Sequence, residues 1–283
     1  MSRVALVTGC SGGIGRALAE VLVAGGWVVY AGARDRTSLE RLERAGCVAL
    51  SLDVCDEADR VAAVRRVQAE QGRLDALVNN AGFGLHGVVE EVPLEDARIQ
   101  FETNFFAVAR LCQLVLPGMR ERGCGHILNM SSMGGRFSFP GGAYYHASKH
   151  ALEALSDVLR FEVGGFGIHV VLIEPGPVRS DFGRTGIDSL GRSEGNPVYS
   201  ELRESIRSGL TSTFEGPGSE RSSTPEEVAA VCLEAMEASH PRPRYVVGTM
   251  AEALIEQRRE EDDESWDRFL AGLYVRPGPA SSG

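Results

Sequence analysis

The stretch RVALVTGCSGGIGRALAEVLVAGG, residues 3–26, sets a short apolar run, a glycine turn and an amphipathic segment in immediate succession. Val4–Val7 is continuously apolar, as in a strand buried on both faces. Residues 16–26 space their apolar side chains as a helix does and stop at Gly25-Gly26. Between the two, Gly9, Gly13 and Gly15 allow a sharp turn, and the helix start behind them offers free N–H groups and a positive dipole end. Strand, glycine turn and helix in that order are how a parallel α/β sheet receives a pyrophosphate. The spacing is GxxxGxG, with Ser11 and Ile14 inside it.

The same alternation continues along the chain. WVVYAGA (27–33), CVALSLDV (47–54), LDALVNNAG (74–82), GHILNMSS (125–132), IHVVLIEPG (168–176) and RYVVG (244–248) read as further strands. Helical patterns at 38–46, 57–72, 94–120, 144–163 and 225–239 lie between them. About seven strands separated by helices predict one doubly wound parallel sheet with helices on both faces, a three-layer α/β/α domain spanning residues 1–283. Residues 179–224 are rich in Gly, Ser and Arg, and predict a mobile substrate lid with a possible helix around 198–210. Residues 251–283 form a charged extension in which EQRREEDDESWDR (256–268) reads as the solvated face of a helix.

Bulk composition narrows the function classes. A net charge of -10 without a Lys/Arg cluster argues against nucleic acid as a partner. No apolar run is long enough to span a membrane, and the six scattered cysteines form no CxxC pair, so no metal site and a reducing, cytoplasmic setting are expected.

At the end of the second strand, Ala33 stands where a ribose-binding acid would sit, with Arg34 next to it. A guanidinium there accommodates a 2′-phosphate, so NADP(H) is preferred and NAD(H) remains possible, because Asp35 follows directly. Asp53 and Val54, and the turn Asn80-Ala81-Gly82, fall at carboxyl ends of strands, where open parallel sheets bind ligands. Asn80 could equally hold a neighbouring strand.

GGAYYHASKH (141–150) carries two tyrosines and a lysine. Tyr145 precedes Lys149 by four residues and shares its helix face, whereas Tyr144 is five away. An ammonium beside a phenol favours the phenolate and lowers its pKa, which suits an acid/base group. Ser132, at the preceding strand end, can reach the same space and donate to a carbonyl oxygen there.

With TGCSGGIG, NNAG, NMSS, YHASK and PGPV in this order over residues 3–180, the chain resembles the short-chain dehydrogenase/reductase family. That resemblance implies a Rossmann-type fold and reversible alcohol–carbonyl chemistry with a nicotinamide cofactor. It implies Tyr145 as acid/base, Lys149 as the group that tunes it and holds the nicotinamide ribose, and Ser132, thirteen positions before the tyrosine, as orienter of the substrate oxygen. It also implies Asn104 as support for a proton-relay water, and Pro175, Gly176, Val178 and Ser180 around the nicotinamide. The motifs look similar to the 17β-hydroxysteroid and retinol dehydrogenase branch, although Gly12 stands where some NADP-dependent relatives carry a basic residue.

Met133, Phe139 and Phe182, with Phe83, Leu85 and His86, are the expected apolar substrate wall, suited to a bulky hydrophobic ketone, aldehyde or alcohol. A cofactor-sensing module with little turnover is the competing reading, but a pure sensor has no need of the Asn104–Ser132–Tyr145–Lys149 set. The apolar residues of 94–120 and 144–163 predict a homodimer or homotetramer.

Overall fold

The computed structural model describes residues 2–190 and 195–278. Seven strands appear where the sequence predicts them: β1 (Val4–Thr8), β2 (Val28–Ala33), β3 (Val48–Ser51), β4 (Ala76–Asn79), β5 (Gly125–Met130), β6 (Ile168–Pro175) and β7 (Arg244–Val247). They form one sheet in the order β3-β2-β1-β4-β5-β6-β7 with every neighbouring pair parallel. The order reverses beside β1, which opens a crevice at the carboxyl ends of β1 and β4. This is the Rossmann-type sheet that the motif order implies.

The helices are α1 (Gly13–Ala24), α2 (Glu40–Ala45), α3 (Glu57–Gln71), α4 (Leu94–Phe101), α5 (Ala107–Arg122), α6 (Ala143–Gly164), α7 (Asp181–Ser189), α8 (Ser200–Phe214), α9 (Pro225–Glu237), α10 (Thr249–Glu260) and α11 (Asp263–Leu273). The pleat of β1 divides them. Ala5 and Val7 face a core shared with Leu18 and Leu22 of α1, Leu42 of α2 and Val228 and Cys232 of α9. Val4 and Leu6 face the opposite core, built with Val64 of α3, Leu111 of α5 and Leu152 of α6.

Three stretches depart from the sequence reading. The long helix expected over 94–120 is interrupted by a π-helical turn, Glu102–Phe106, that carries Asn104. Within 179–224, where one helix was expected, two form: α7 starts at Ser180, and α8 buries Ile206 against Gly141. Residues 191–194 of that insertion and 279–283 of the extension lie outside the described residues. The charged run at 256–268 is two helices rather than one solvated face. Asp262 caps α11 by accepting from the Ser265 N–H (2.8 Å), and Trp266 turns inward onto Phe137 and Ile255. Burying an indole outweighs keeping one continuous charged helix, since a large apolar side chain gains about 1.5–3 kcal/mol on burial.

Candidate active site

The glycine turn is sewn to the neighbouring strand. Gly9 has φ +72° and Gly13 φ +50°, in the left-handed region. A Cβ on Gly9 would lie 2.8 Å from the Ala81 Cα, and one on Gly15 would overlap the Gly9 carbonyl and the Asn80 amide. Asn80 Nδ2 donates to the carbonyls of Thr8 (2.9 Å) and Gly9 (3.1 Å), and the backbone N–H groups of Asn80 and Ala81 both donate to Thr8 Oγ1 (3.0 Å each). Asn80 therefore holds strand ends together, the structural of its two possible roles.

Helix α1 starts at Gly12 with no side-chain cap and no acid in its first turn. No side-chain cap takes up its leading N–H groups, which fits a pyrophosphate. Ser11 is exposed at the turn, and Ile14 packs its side chain against the core. Arg16, which the sequence reading passed over, donates to the Ser11 carbonyl and so lays a guanidinium against the turn. The available signal was a cation in the first turn of a helix, where the dipole disfavours it.

At the end of β2, Arg34 is exposed and makes no hydrogen bond or ion pair among the described residues. Asp35 is occupied otherwise. It caps a short 3₁₀ turn, accepting from the Thr37 N–H (2.9 Å) and from Thr37 Oγ1 at both oxygens (2.8 and 2.9 Å), and these bonds hold its carboxyl below the usual range. Asp53 Oδ1 accepts from the Cys55 N–H (2.9 Å), and Val54 beside it is buried. Past β6, the Gly176 N–H donates to the Val247 carbonyl (2.9 Å), Val178 pairs with Ser223, and a Cβ on Gly13 would come within 3.3 Å of the Ser180 Cβ. The loop that begins at Pro175 thus faces the glycine turn across the crevice.

Tyr145, Ser132, Lys149 and Asn104 are brought together as the sequence predicts. Tyr145 is buried beside the Ser132 hydroxyl, whereas Tyr144 is half-buried. Lys149 is buried and donates to the Met130 carbonyl (2.7 Å). Asn104 Nδ2 donates to the Phe83 carbonyl (3.1 Å) and Ser148 Oγ (3.2 Å), while Ser148 Oγ donates to the Tyr145 carbonyl (2.7 Å). A Cβ on Gly82 would meet Asn104 Oδ1 at 3.1 Å and Lys149 Nζ at 3.8 Å, so these groups share one small space.

The electrostatics correct one expectation. Lys149 Nζ lies 6.0 Å from the centroid of the Tyr145 ring and is not what sets the phenol. Burial pushes Tyr145 up to about 12, opposed by the Ser132 hydroxyl, and burial pulls Lys149 down to about 8. Desolvation acts on both groups more strongly than either acts on the other.

The expected substrate wall divides into two layers. Phe182 of α7 and His86 pack on Tyr145, with ring centroids 5.7 and 6.1 Å away. Phe139 stands further out, against His146 (6.4 Å), Trp266 (6.0 Å) and Tyr274 (6.2 Å). Met133 packs toward the same Trp266 cluster, so the C-terminal helices back that wall. A cavity of about 420 Å³ lies beside Phe139, bounded by Val88, Tyr199 and Leu202. His146 fills the gap between Gly134 and Gly142, where a Cβ would come within 2.7 and 2.6 Å of its ring, and so fixes the 133–142 loop.

Behind the site runs a charge network that the sequence did not reveal, because its members are far apart in the chain. Glu174, fully buried next to Pro175, accepts from Arg136 (3.0 Å) and pairs with Arg244 (3.1 Å). Glu153 accepts from Arg244 (3.0 Å) and from Ser131.

Comparison with known proteins agrees with this fold. A family model described as short chain dehydrogenase matches residues 3–188. The chain is 34% identical over 252 residues to a probable short-chain type dehydrogenase/reductase, VdlC, of Helicobacter pylori, covering 89% of this chain and 90% of that one. It is 35% identical over 295 residues to human 17-beta-hydroxysteroid dehydrogenase type 1 (96% and 84%), and 40% identical over 181 residues to a 3-ketodihydrosphingosine reductase of Bacteroides thetaiotaomicron (64% and 65%). A solved short-chain dehydrogenase from Streptomyces avermitilis superposes with TM-score 0.81 at 36% identity, covering 96% of this chain and 95% of that one. Two further solved neighbours hold cofactor: a serine dehydrogenase complexed with NADP+ (TM-score 0.74, 25% identity, 87% and 95% covered) and a Brucella melitensis 3-ketoacyl-(acyl-carrier-protein) reductase complexed with NADH (0.72, 27%, 87% and 96%). The chain therefore belongs to the short-chain dehydrogenase/reductase family, a family of nicotinamide-dependent oxidoreductases.

Three histidines, His146 buried and His86 and His126 partly buried, give the fold a pH dependence. His86, His126 and His146 are each pulled down to about 4, chiefly by burial. Unfolded histidines titrate near ~6.5, so between these values the unfolded chain binds more protons, and stability falls as pH drops through the window. Glu174, pushed up to about 7 by burial and the neighbouring Glu153, acts in the opposite sense. The three histidines outweigh it. Thermal melts should show a lower midpoint at pH 5 than at pH 7, with a smaller drop in His146→Gln; an unchanged or higher midpoint at pH 5 would contradict this account.

Proposed function

We propose that this protein is an NADP(H)-dependent oxidoreductase that interconverts a bulky hydrophobic ketone or aldehyde and its alcohol, with Tyr145 as the acid/base group. The observation that carries this reading is the buried phenol of Tyr145 beside the Ser132 hydroxyl. A bound reduced nicotinamide supplies two electrons and one hydrogen to the carbonyl carbon. The chain's own groups manage the oxygen. Ser132 and Tyr145 donate to it, and as negative charge grows there Tyr145 gives up its proton, leaving the alcohol. A phenol held up at about 12 by burial arrives protonated at neutral pH, as a donor to a carbonyl oxygen must. Lys149 and Asn104, which meet beside Gly82, are the groups through which Tyr145 would recover a proton. The turn Gly9–Gly15, with Asp53, Val54, Gly82 and residues 175–180, is the set that would hold the dinucleotide.

Several features support this choice of cofactor and substrate. Arg34 is exposed and unpaired among the described residues, Arg16 lies against the glycine turn, and Asp35 spends its carboxylate on Thr37. A 2′-phosphate suits that arrangement better than a ribose hydroxyl. The wall of Phe182, Phe139 and Met133 favours an apolar substrate, in keeping with relatives named for a steroid and a sphingoid ketone. All six cysteines are free, which agrees with a reducing, cytoplasmic setting. Among the described residues no helix is long and apolar enough to cross a membrane.

A two-fold assembly through α4, α5 and α6 belongs to the same reading. Phe161 is 92% exposed on α6, with Val158 on the same helix, Ile99 on α4 and Phe106 on the π-helical turn also exposed. These side chains lie on α6 and on the two elements packed against it, and a group of apolar side chains bared together suits an interface between copies of the chain.

Three measurements test the proposal. Tyr145→Phe should reduce NADPH oxidation with a bulky ketone by at least about a thousandfold while leaving NADPH binding intact. If Tyr144→Phe did this instead, the assignment would be wrong. Arg34→Ala should weaken NADPH binding by about tenfold or more and NADH binding little, and equal losses would count against the 2′-phosphate contact. Phe161→Asp should shift sedimentation toward the monomer; an unchanged profile would remove these helices as the interface.

A further inference from the structure

A short run of hydrogen bonds joins the segment of Tyr145 to the Ser132 hydroxyl, and it starts one residue after the tyrosine. His146 is buried, and its ring lies 5.5 Å from that of Tyr145, centroid to centroid. Its backbone is fixed in the first turn of α6, where the His146 N–H donates to the Gly142 carbonyl (2.8 Å). Its Nδ1 lies 3.0 Å from the Gly134 carbonyl oxygen. A carbonyl can only accept, so Nδ1 carries the hydrogen. Burial pulls the ring down to about 4, so it is neutral at physiological pH and keeps that one tautomer.

Gly134 is buried as well, and a Cβ there would come within 2.7 Å of His146 Nδ1, so ring and turn leave each other no slack. From the same glycine the backbone N–H donates to Ser132 Oγ (3.0 Å). A hydroxyl has one hydrogen to give and two lone pairs to offer. The Gly134 N–H takes a lone pair of Ser132. The Pro175 carbonyl, 3.5 Å away, holds the Ser132 hydrogen only at the limit of bonding distance. That hydrogen can therefore turn to a substrate oxygen, from a hydroxyl whose orientation Gly134 sets.

We propose that His146 is a positioning residue for carbonyl reduction: by donating to the Gly134 carbonyl it holds the turn Met133–Gly135 so that the Ser132 hydroxyl points at the oxygen that Tyr145 protonates. Tyr145 and His146 are neighbours in α6, so a shift of that helix carries the phenol and the brace of the second donor together. The spacing of the two donors is thereby kept across two segments of the chain. The inference rests on the reductase reading and deepens it, since His146 acts through Ser132.

The test compares H146N with H146L. Asparagine and leucine both branch at Cγ with the same number of heavy atoms, so both variants lose the rest of the imidazole. Only asparagine keeps an N–H one bond from Cγ, where Nδ1 stands. Reduction of estrone, 2-decanone and 4-phenyl-2-butanone by NADPH is measured, together with thermal melting and NADPH binding. On a ketone that the wild-type protein reduces, kcat/KM should be about tenfold or more lower in H146L than in H146N, the size of one misaimed donor to a developing oxyanion. Their dissociation constants for NADPH should be equal. H146A takes the place of H146L if the leucine variant does not fold. Equal kcat/KM in the two variants, or a difference confined to melting temperature or NADPH binding, would leave His146 a packing residue and overturn the inference while the Tyr145 chemistry stands. A wild-type protein that reduces none of the three ketones would overturn the reductase reading, and the inference with it.

Discussion

The amide of Asn80 bonds two carbonyls at the end of the neighbouring strand, those of Thr8 and Gly9, and the space it occupies exists because Gly15 has no side chain. This close approach of the β1 and β4 ends fixes where α1 begins. It thereby fixes where the helix's free N–H groups point and where Gly82 meets Asn104 and Lys149. The cofactor cradle and the acid/base cluster are two sides of one junction. A methyl group at Gly15 would disturb both, although Tyr145 lies on a different helix.

Dryness governs the chemistry on the other side of that junction. Tyr145 and Lys149 are pushed toward their neutral forms by burial, the phenol upward and the ammonium downward. A site that desolvates both groups keeps a proton on the phenol, the proposed donor, and leaves the amine near the pH at which it can change charge. The lysine lends less charge to the phenol than its helical spacing suggests, because its Nζ turns to the Met130 carbonyl.

Local signals made the sheet legible: four-to-eight-residue apolar runs, glycine stops and helix caps placed all seven strands in the sequence. Tyr145 and Lys149 were legible for a similar reason, since four-residue spacing puts them on one helix face, whereas Asn104 and the choice of Ser132 over Ser131 rested on the family resemblance, and Asn104 lies in a π-helical turn that the helical pattern did not predict. What escaped was long-range. Glu174, Glu153, Arg136 and Arg244 are scattered over more than a hundred residues and meet only in three dimensions. The phenol's pKa escaped too, because burial depends on what covers a residue, and part of that cover, Phe182 and His86, comes from other segments. The tail escaped for the opposite reason: its charge was so dense that one inward tryptophan was easy to pass over.

That tryptophan gives the molecule a division of labour along the chain. Trp266 stacks at 14° on Phe139, and Tyr274 adds a second contact to the same ring, so the last helix backs the outer wall without touching the glycine turn. A change in α11 therefore reaches the expected substrate wall through Phe139 and leaves the strand-end junction around Asn80 to its own hydrogen bonds.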